Sequence, residues 1–475
     1  MKAPLRIAIV HYHLRPGGVT SVMLRAASAL EKSGVQGVVL TGEPTASKFP
    51  FPVVVVPGLA YGGGTDGARV ADELQATATS ALGGTPDIWH IHNHALGKNA
   101  AFTTAVSALA SRGAHLLLQI HDFAEDGRPA NYRLLLDAVG EGGMDQLYPV
   151  GPHVHYALLN QRDHDRLVLS GCAPDWAHLL PNPITLPSSD TPPPPGIVLY
   201  PTRAIRRKNL GEFLLASLLD DLGRRWQTTL EPSSPADRPV YEQWRCVANE
   251  LQLPVDFAVG VSQPRSMSEL LAGAEAVFTT SVAEGFGLSF LEPWLVGRPV
   301  LGRDLPDITA DFKSAGLDLA LLYPRLDVPV EWVGLEALRA ALEAGLRRLR
   351  DAYGRATSLS DVEKALAVLV QEGGVDFGRL HEPLQEKVLR RLAADPAARN
   401  LLAPACAVRA APPGLLAHNR DVVLEHYGEA NYGNRLLSIY QALKNGSAGQ
   451  TCEALNAEVL LDQFLDPTQF NLLRT

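Results

Sequence analysis

Ser188-Ser-Asp-Thr-Pro-Pro-Pro-Pro-Gly196-Ile-Val-Leu-Tyr200 is the stretch from which the fold is read. Four consecutive prolines end any helix and favour an extended spacer. An apolar strand, expected at 197–200, follows at once. The same pattern lies on both sides of this spacer. Before it, short apolar runs at 5–10, 35–40, 53–56, 87–91, 116–120 and 155–159 alternate with helix-period segments. After it come runs at 197–200, 228–230, 255–259, 276–279 and 299–301. Continuous apolar strands alternating with helices imply parallel sheets covered on both faces. The chain is therefore expected to be α/β, with two Rossmann-like, doubly wound parallel-sheet domains in tandem. Their expected extents are 1–187 and 197–418, joined by a Pro-rich linker at 188–196. Beyond about residue 320 the pattern turns helical and charged, with amphipathic stretches at 332–352, 360–371 and 383–394. These form an expected helical insertion over about 321–418. Further helices are expected in 419–475.

The length of 475 residues agrees, since it exceeds a single core of ~100–200 residues. A hydrophobic fraction of 46% with 20% charged residues suits a globular protein rather than a disordered one. The net charge of −9 gives no sequence-blind attraction to nucleic acid or anionic membrane, so any anionic ligand needs local cations. The four cysteines are scattered without paired metal spacing and read as free thiols of a reducing compartment. No apolar run approaches the ~18 residues of a membrane span. A cytoplasmic protein is expected, without nucleic-acid partner or transmembrane segment; homo-oligomerisation is left open.

Two segments carry chemistry. In Glu284-Gly-Phe-Gly-Leu-Ser-Phe-Leu-Glu292-Pro293, a buried strand is followed by glycines and then a helix. Gly285 and Gly287 let the backbone turn tightly and approach a ligand. A helix start favours phosphate. Two carboxylates eight positions apart suit sugar hydroxyls on either side of that phosphate. The bland alternative is a capped helix start with two surface acids. In Tyr200-Pro-Thr-Arg203-Ala-Ile-Arg206-Arg207-Lys208-Asn209, a cationic loop follows a strand, with Asn209 placed to cap the next helix. Arginine offers a fork to phosphate oxygens and lysine a point charge. Here the alternative is a solvated basic loop, and Arg206 and Arg207 are expected to be its solvated members.

Both segments resemble family four of the retaining GT-B glycosyltransferases, the group of sucrose-phosphate synthases and bacterial mannosyl- and glucosyltransferases. Glu284 and Glu292 match its Glu-x7-Glu signature, and Arg203 and Lys208 its Arg…Lys pair. Gly17-Gly18-Val19 resembles its amino-terminal glycine loop, Pro181-Asn-Pro-Ile184 its entry to the interdomain linker, and Asn419…Tyr432-Gly433…Tyr440 its closing helices. Thr202-Arg203 and Lys208-Asn209 stand where the family has Gly-Arg and Lys-Gly, and Arg303–Ile308 replaces a Gly-Gly loop. The resemblance implies two domains facing a central cleft, with closing helices that cross back to the first. It implies that Arg203 and Lys208 hold a donor diphosphate. Glu284, with the amides of Phe286, Gly287 and Leu288, would contact the donor sugar, Glu292 the ribose, and Gly18 would lie beside the phosphates. It implies that no metal or other cofactor is needed, because the cations neutralise the leaving group. Donor identity, UDP- or GDP-linked hexose, is left open.

His11, His13, His90, His92, His94 and His121 all follow strands. A zinc site, core histidines and substrate contacts are each compatible with that placement. The resemblance places His121 against the donor sugar, with Asp122 beside it. The amino-terminal loops hold Tyr12, His13, Arg15, His92, Asn93, Lys98, Arg128, Asn131 and Tyr132. Among these, Arg15, His92, Asn93, Arg128 and Tyr132 are the expected acceptor-side residues. Polar and cationic loops in an acidic chain suggest a small polar acceptor, of compatible-solute or sugar-acid type. Sugar-nucleotide epimerase or glycoside phosphorylase chemistry, or sugar-nucleotide binding without catalysis, are the alternatives.

Overall fold

The computed structural model describes residues 4–62, 64, 66–185, 196–262, 265–402, 406–446 and 452–474. The proline run of the expected linker lies outside them. The chain divides into two compact units, one formed by Met1–Pro183 with Tyr427–Leu465, the other by Ile184–His426 with Asp466–Thr475. No helix among the described residues is long and apolar enough to cross a membrane.

The first unit is built on strands β1 (Arg6–His11), β2 (Gln36–Thr41), β3 (Val53–Val55), β4 (Ile88–His92), β5 (Leu116–Ile120), β7 (Val154–Leu158) and β8 (Ala177–Leu179). Between them, β6 (Pro149–Val150) lies outside the main sheet. The seven strands run parallel in the order β3-β2-β1-β4-β5-β7-β8. The order reverses between β1 and β4. Open α/β sheets bind ligands at the carboxyl ends of strands at such a switch. The loops starting at Tyr12 and Asn93 are therefore neighbours there.

The helix Glu429–Asn445 returns to this unit and packs on the helix Gly18–Lys32. Tyr432, Leu436, Tyr440 and Leu443 enter its core beside Val22, Met23 and Leu30. Gly433 is required at this crossing, since a Cβ there would lie 2.8 Å from the Ala29 Cβ.

The second unit repeats the plan with β9 (Ile197–Arg203), β10 (Arg225–Leu230), β11 (Val255–Asp256), β12 (Ala276–Thr279), β13 (Val300–Arg303) and β14 (Leu322–Tyr323). These are parallel in the order β11-β10-β9-β12-β13-β14, with the switch between β9 and β12. Both chemistry-bearing segments begin at that switch. The helices Leu335–Ala352, Leu359–Leu369 and Glu382–Ala394 occupy the expected amphipathic stretches.

Several features differ from the sequence reading. A small antiparallel sheet of β15 (Asp327–Pro329), β16 (Val370–Gln371) and β17 (Gly374–Asp376) lies within the expected helical region. In the first unit β18 (Glu453–Ala454) pairs with β6. Strands of two or three residues leave no period to read. The residues 466–475 do not stay with the helices before them. Phe470 and Leu472 are buried in the second unit's core, against the flat spot left by Gly345.

Candidate functional site

In the second unit the site is set by how two loops lace together. Arg203 ends β9 with its side chain exposed and unpaired among the described residues. The chain then makes a 3-10 turn, Arg206–Lys208, whose backbone is held by the loop after β12. The Tyr200 hydroxyl donates to the Lys208 carbonyl at 2.9 Å and the Thr280 hydroxyl donates to it at 3.0 Å. The Val282 amide donates to the Arg207 carbonyl at 2.9 Å. These bonds fix Lys208, whose ammonium is paired with the Glu284 carboxylate. Burial alone would raise the Glu284 carboxyl, but Lys208 and Arg207 outweigh it and hold the group below its usual range. Burial pulls the Lys208 ammonium down, against the pull of Glu284.

Asn209 stands at the N-cap position of the helix Leu210–Leu219, but its side chain does not cap it. The residue sits in the left-handed region (φ 54°) and makes no cap bond. Its side chain instead joins Glu212 at 2.8 Å and Gln385 at 2.8 Å. Arg206 is not solvated either, because the buried Glu382 takes it as a two-pronged partner at 2.6 and 2.9 Å. Arg303 is buried and shared by Glu212 and Asp376 at 2.8 Å each, which makes it part of the core.

After Glu284 the backbone turns through Gly287 at φ 93°. The Phe286 ring is buried, 5.7 Å from Phe312, so only its backbone can face a ligand. Leu288 begins a 3-10 turn, and Glu292 begins a helix of only four residues, Glu292–Leu295. The helix expected from the sequence is thus present but short, and its dipole contributes little.

In the first unit the histidines form a stack. His90 lies 4.4 Å from His92, and His92 lies 5.2 Å from His121. His90 is a core residue bonded to Tyr440 at 2.8 Å and Gln119 at 2.9 Å. His94 is likewise buried, bonded to the Leu147 carbonyl. His92 and His121 share a hydrogen bond of 2.9 Å. Burial drives His121 down to about 3 and His92 well below its usual value, so both rings are neutral near pH 7. No group of three His, Cys, Asp or Glu residues suited to a metal occurs among the described residues.

The expected acceptor-side residues divide. Asn93 is buried at φ 54°, and its side-chain oxygen accepts from the His121 and Asp122 amides at 2.7 and 3.2 Å. Arg128 turns onto the loop after β5, bonding Asp122 and the Phe123 and Asp126 carbonyls. Tyr132 is buried. Asn93 and Arg128 order the loops. Arg15 is exposed and pairs with Glu43 at 2.9 Å. Gly17 and Gly18 are exposed and start a 15-residue helix with no side-chain cap.

Sequence reasoning missed three residues here. Tyr61 stands 2.9 Å from His13 Nε2. The other two are Glu125, buried and bonded by the Tyr148 hydroxyl at 2.9 and 3.0 Å, and Tyr148 itself. Burial pushes the Glu125 carboxyl up to about 7. Contacts this distant in sequence leave no local pattern.

No family model matches the chain. It is 28% identical over 344 residues to the mannosylglucosyl-3-phosphoglycerate synthase of Petrotoga mobilis, across 64% of this chain. The match spans 66% of that relative's length, just under two thirds. Among solved structures it is similar to a sucrose-phosphate synthase from Thermosynechococcus elongatus, with a TM-score of 0.55 at 15% identity, covering 92% of this chain and 99% of that one. It is also similar to Anabaena HepE, crystallised with UDP and glucose, with a TM-score of 0.52 at 12% identity, covering 92% and 99%. The chain thus has the α/β fold of the GT-B glycosyltransferases.

Proposed function

We propose that this protein is a retaining glycosyltransferase of family four, moving a hexose from a UDP- or GDP-linked donor to a small polar acceptor. The observation that carries the reading is the Lys208–Glu284 pair, locked at the strand switch of the second unit, together with an Arg203 that ends β9 exposed and unpaired among the described residues. A diphosphate leaving group needs cations that are in place before charge develops. Lys208 and Arg203 supply them, and the turn at Gly287 lets backbone approach the transferred sugar. Glu284 and Glu292 take hydroxyls of the sugar and the ribose. His121, kept neutral by burial, accepts or donates one hydrogen bond to a sugar hydroxyl without adding charge. Retention proceeds by front-face attack within an ion pair, with the leaving phosphate taking the acceptor's proton, so no enzymic nucleophile is assigned.

The similarity to HepE, crystallised with UDP and glucose, supports the donor class. The similarity to a synthase named for 3-phosphoglycerate supports a small polar acceptor. Metal-free transfer in a cytoplasmic setting belongs to the same reading. The test is calorimetry with UDP, GDP and ADP, followed by donor hydrolysis with the matching sugar nucleotides in excess chelator. Binding of one diphosphate and chelator-resistant turnover are expected. Failure to bind any of the three, or turnover restored only by magnesium or manganese, would contradict it.

A further inference from the structure

Three loops of the first unit, after β1, β3 and β4, meet around the exposed ring of Tyr61. The Arg15 guanidinium carbon and the Lys98 ammonium each lie 5.8 Å from its centroid. That is within the ~6 Å reach of a cation–π contact. His13 Nε2 is 2.9 Å from the Tyr61 hydroxyl. The arrangement is built rather than incidental. Asn99 caps the helix Ala100–Ser111 through the Phe102 amide and donates to the Gly58 and Ala60 carbonyls, at 2.7 Å each. The Gly62 amide donates to the Lys98 carbonyl at 3.1 Å. The Lys98 and Tyr61 loops are therefore tied to each other.

The charges around the ring do not cancel. Glu43 matches Arg15, and Asp122, which acts on Tyr61 from the loop after β5, is matched by Arg128. Lys98 is half-buried and has no carboxylate partner among the described residues. A cation that has lost part of its hydration without gaining a counter-ion is poised for one.

We propose that this cluster binds the negative charge of the acceptor. Lys98 holds a phosphate or carboxylate oxygen, Arg15 adds a fork beside it, and Tyr61 fixes both cations. The proposal rests on the transferase reading and adds that the acceptor is an anion.

Calorimetry on the full chain, with its nucleoside diphosphate present, tests it using 3-phosphoglycerate, glycerate and glycerol as probes. The acids should bind and glycerol should not. The stronger binder of the two acids shows whether phosphate or carboxylate is read. Lys98→Gln should weaken that acid at least about tenfold, the loss of one charge-assisted contact. Glu43→Gln, which frees Arg15, should tighten it, a gain no merely structural role produces. Both variants should bind the nucleoside diphosphate as the parent does. Unchanged acid affinity in either variant, or parent protein that binds the acids no better than glycerol, overturns the proposal. Absence of nucleoside diphosphate binding in the parent protein would instead overturn the transferase reading.

Discussion

Lys208 and Glu284, 76 residues apart in sequence, pair at the carboxyl ends of the neighbouring strands β9 and β12. The Lys208 turn is fastened by the hydroxyls of Tyr200, within β9, and Thr280, just past the end of β12. The charge that would meet a leaving phosphate is thus set by the sheet, and little reorganisation is needed when a ligand arrives.

Replacing Lys208 with methionine should lower turnover at least about 100-fold, as loss of a preorganised charge stabiliser does. It should also change how the Glu284 contribution to stability depends on pH. In the parent protein Glu284 is held below its unfolded value, so its contribution is present above about pH 4.3 and is lost as pH falls through the folded value. Without Lys208, burial dominates and raises the carboxyl. That contribution then declines as pH rises instead. The stability difference between the two proteins, measured by urea denaturation, should therefore grow from acid to neutral pH; a pH-independent difference would count against the pairing.

Gly287→Ala should impair function more than its size suggests. The backbone stands at φ 93°, and an added Cβ would meet Phe290 at 2.9 Å and Ile308 at 3.1 Å. A left-handed non-glycine residue costs about 1–2 kcal/mol before any clash. The turn should shift, moving the backbone proposed to face the donor. A raised Kd for the nucleotide sugar with a modest loss in melting temperature is the expected pair of results. Unchanged donor affinity would separate this turn from the site.

Glu125 gives a second pH signature. Its folded value is raised from 4.5 to about 7, so Glu125's own contribution to stability is fullest below pH 4.5 and declines as pH rises to about 7. Glu125→Gln removes that group from titration. Between pH 5 and 8 the variant should lose less stability than the parent, by at most about 3 kcal/mol. Matching urea denaturation curves at the two pH values would show that the carboxyl does not titrate there.

The sequence announces whatever is local. Apolar runs mark the long strands of both sheets, and the paired glycines and flanking acids of 284–292 mark the turn proposed to meet the donor. It is silent where structure is made by distant pairs. Asn209 does stand at the N-cap position, yet its side chain is taken by Glu212 and Gln385 instead of capping the helix. Arg206 looks solvated because its partner, Glu382, is 176 residues away. Tyr61 carries no motif at all and becomes visible only when three loops converge on its ring. Arg128 resembles a free cation until the carbonyls of Phe123 and Asp126 are seen folded round it.

Arg203 offers the cleanest separation of function from stability. Unlike Lys208 and Arg303, it is exposed and pairs with no carboxylate among the described residues. Removing its guanidinium leaves no buried charge behind, so Arg203→Ala should unfold within about 0.5 kcal/mol of the parent protein, as surface substitutions do. If its fork meets the donor diphosphate, turnover should nevertheless fall at least about 100-fold. Nucleoside diphosphate binding should weaken in parallel, since the same contact exists before and after transfer. Arg203→Lys should recover only part of the loss, because a point charge cannot reproduce the two-pronged grip. The measurements are a urea titration, calorimetry with the diphosphate, and turnover at saturating acceptor. An unaltered urea midpoint combined with unaltered turnover would remove Arg203 from the site and leave Lys208 as the cation there.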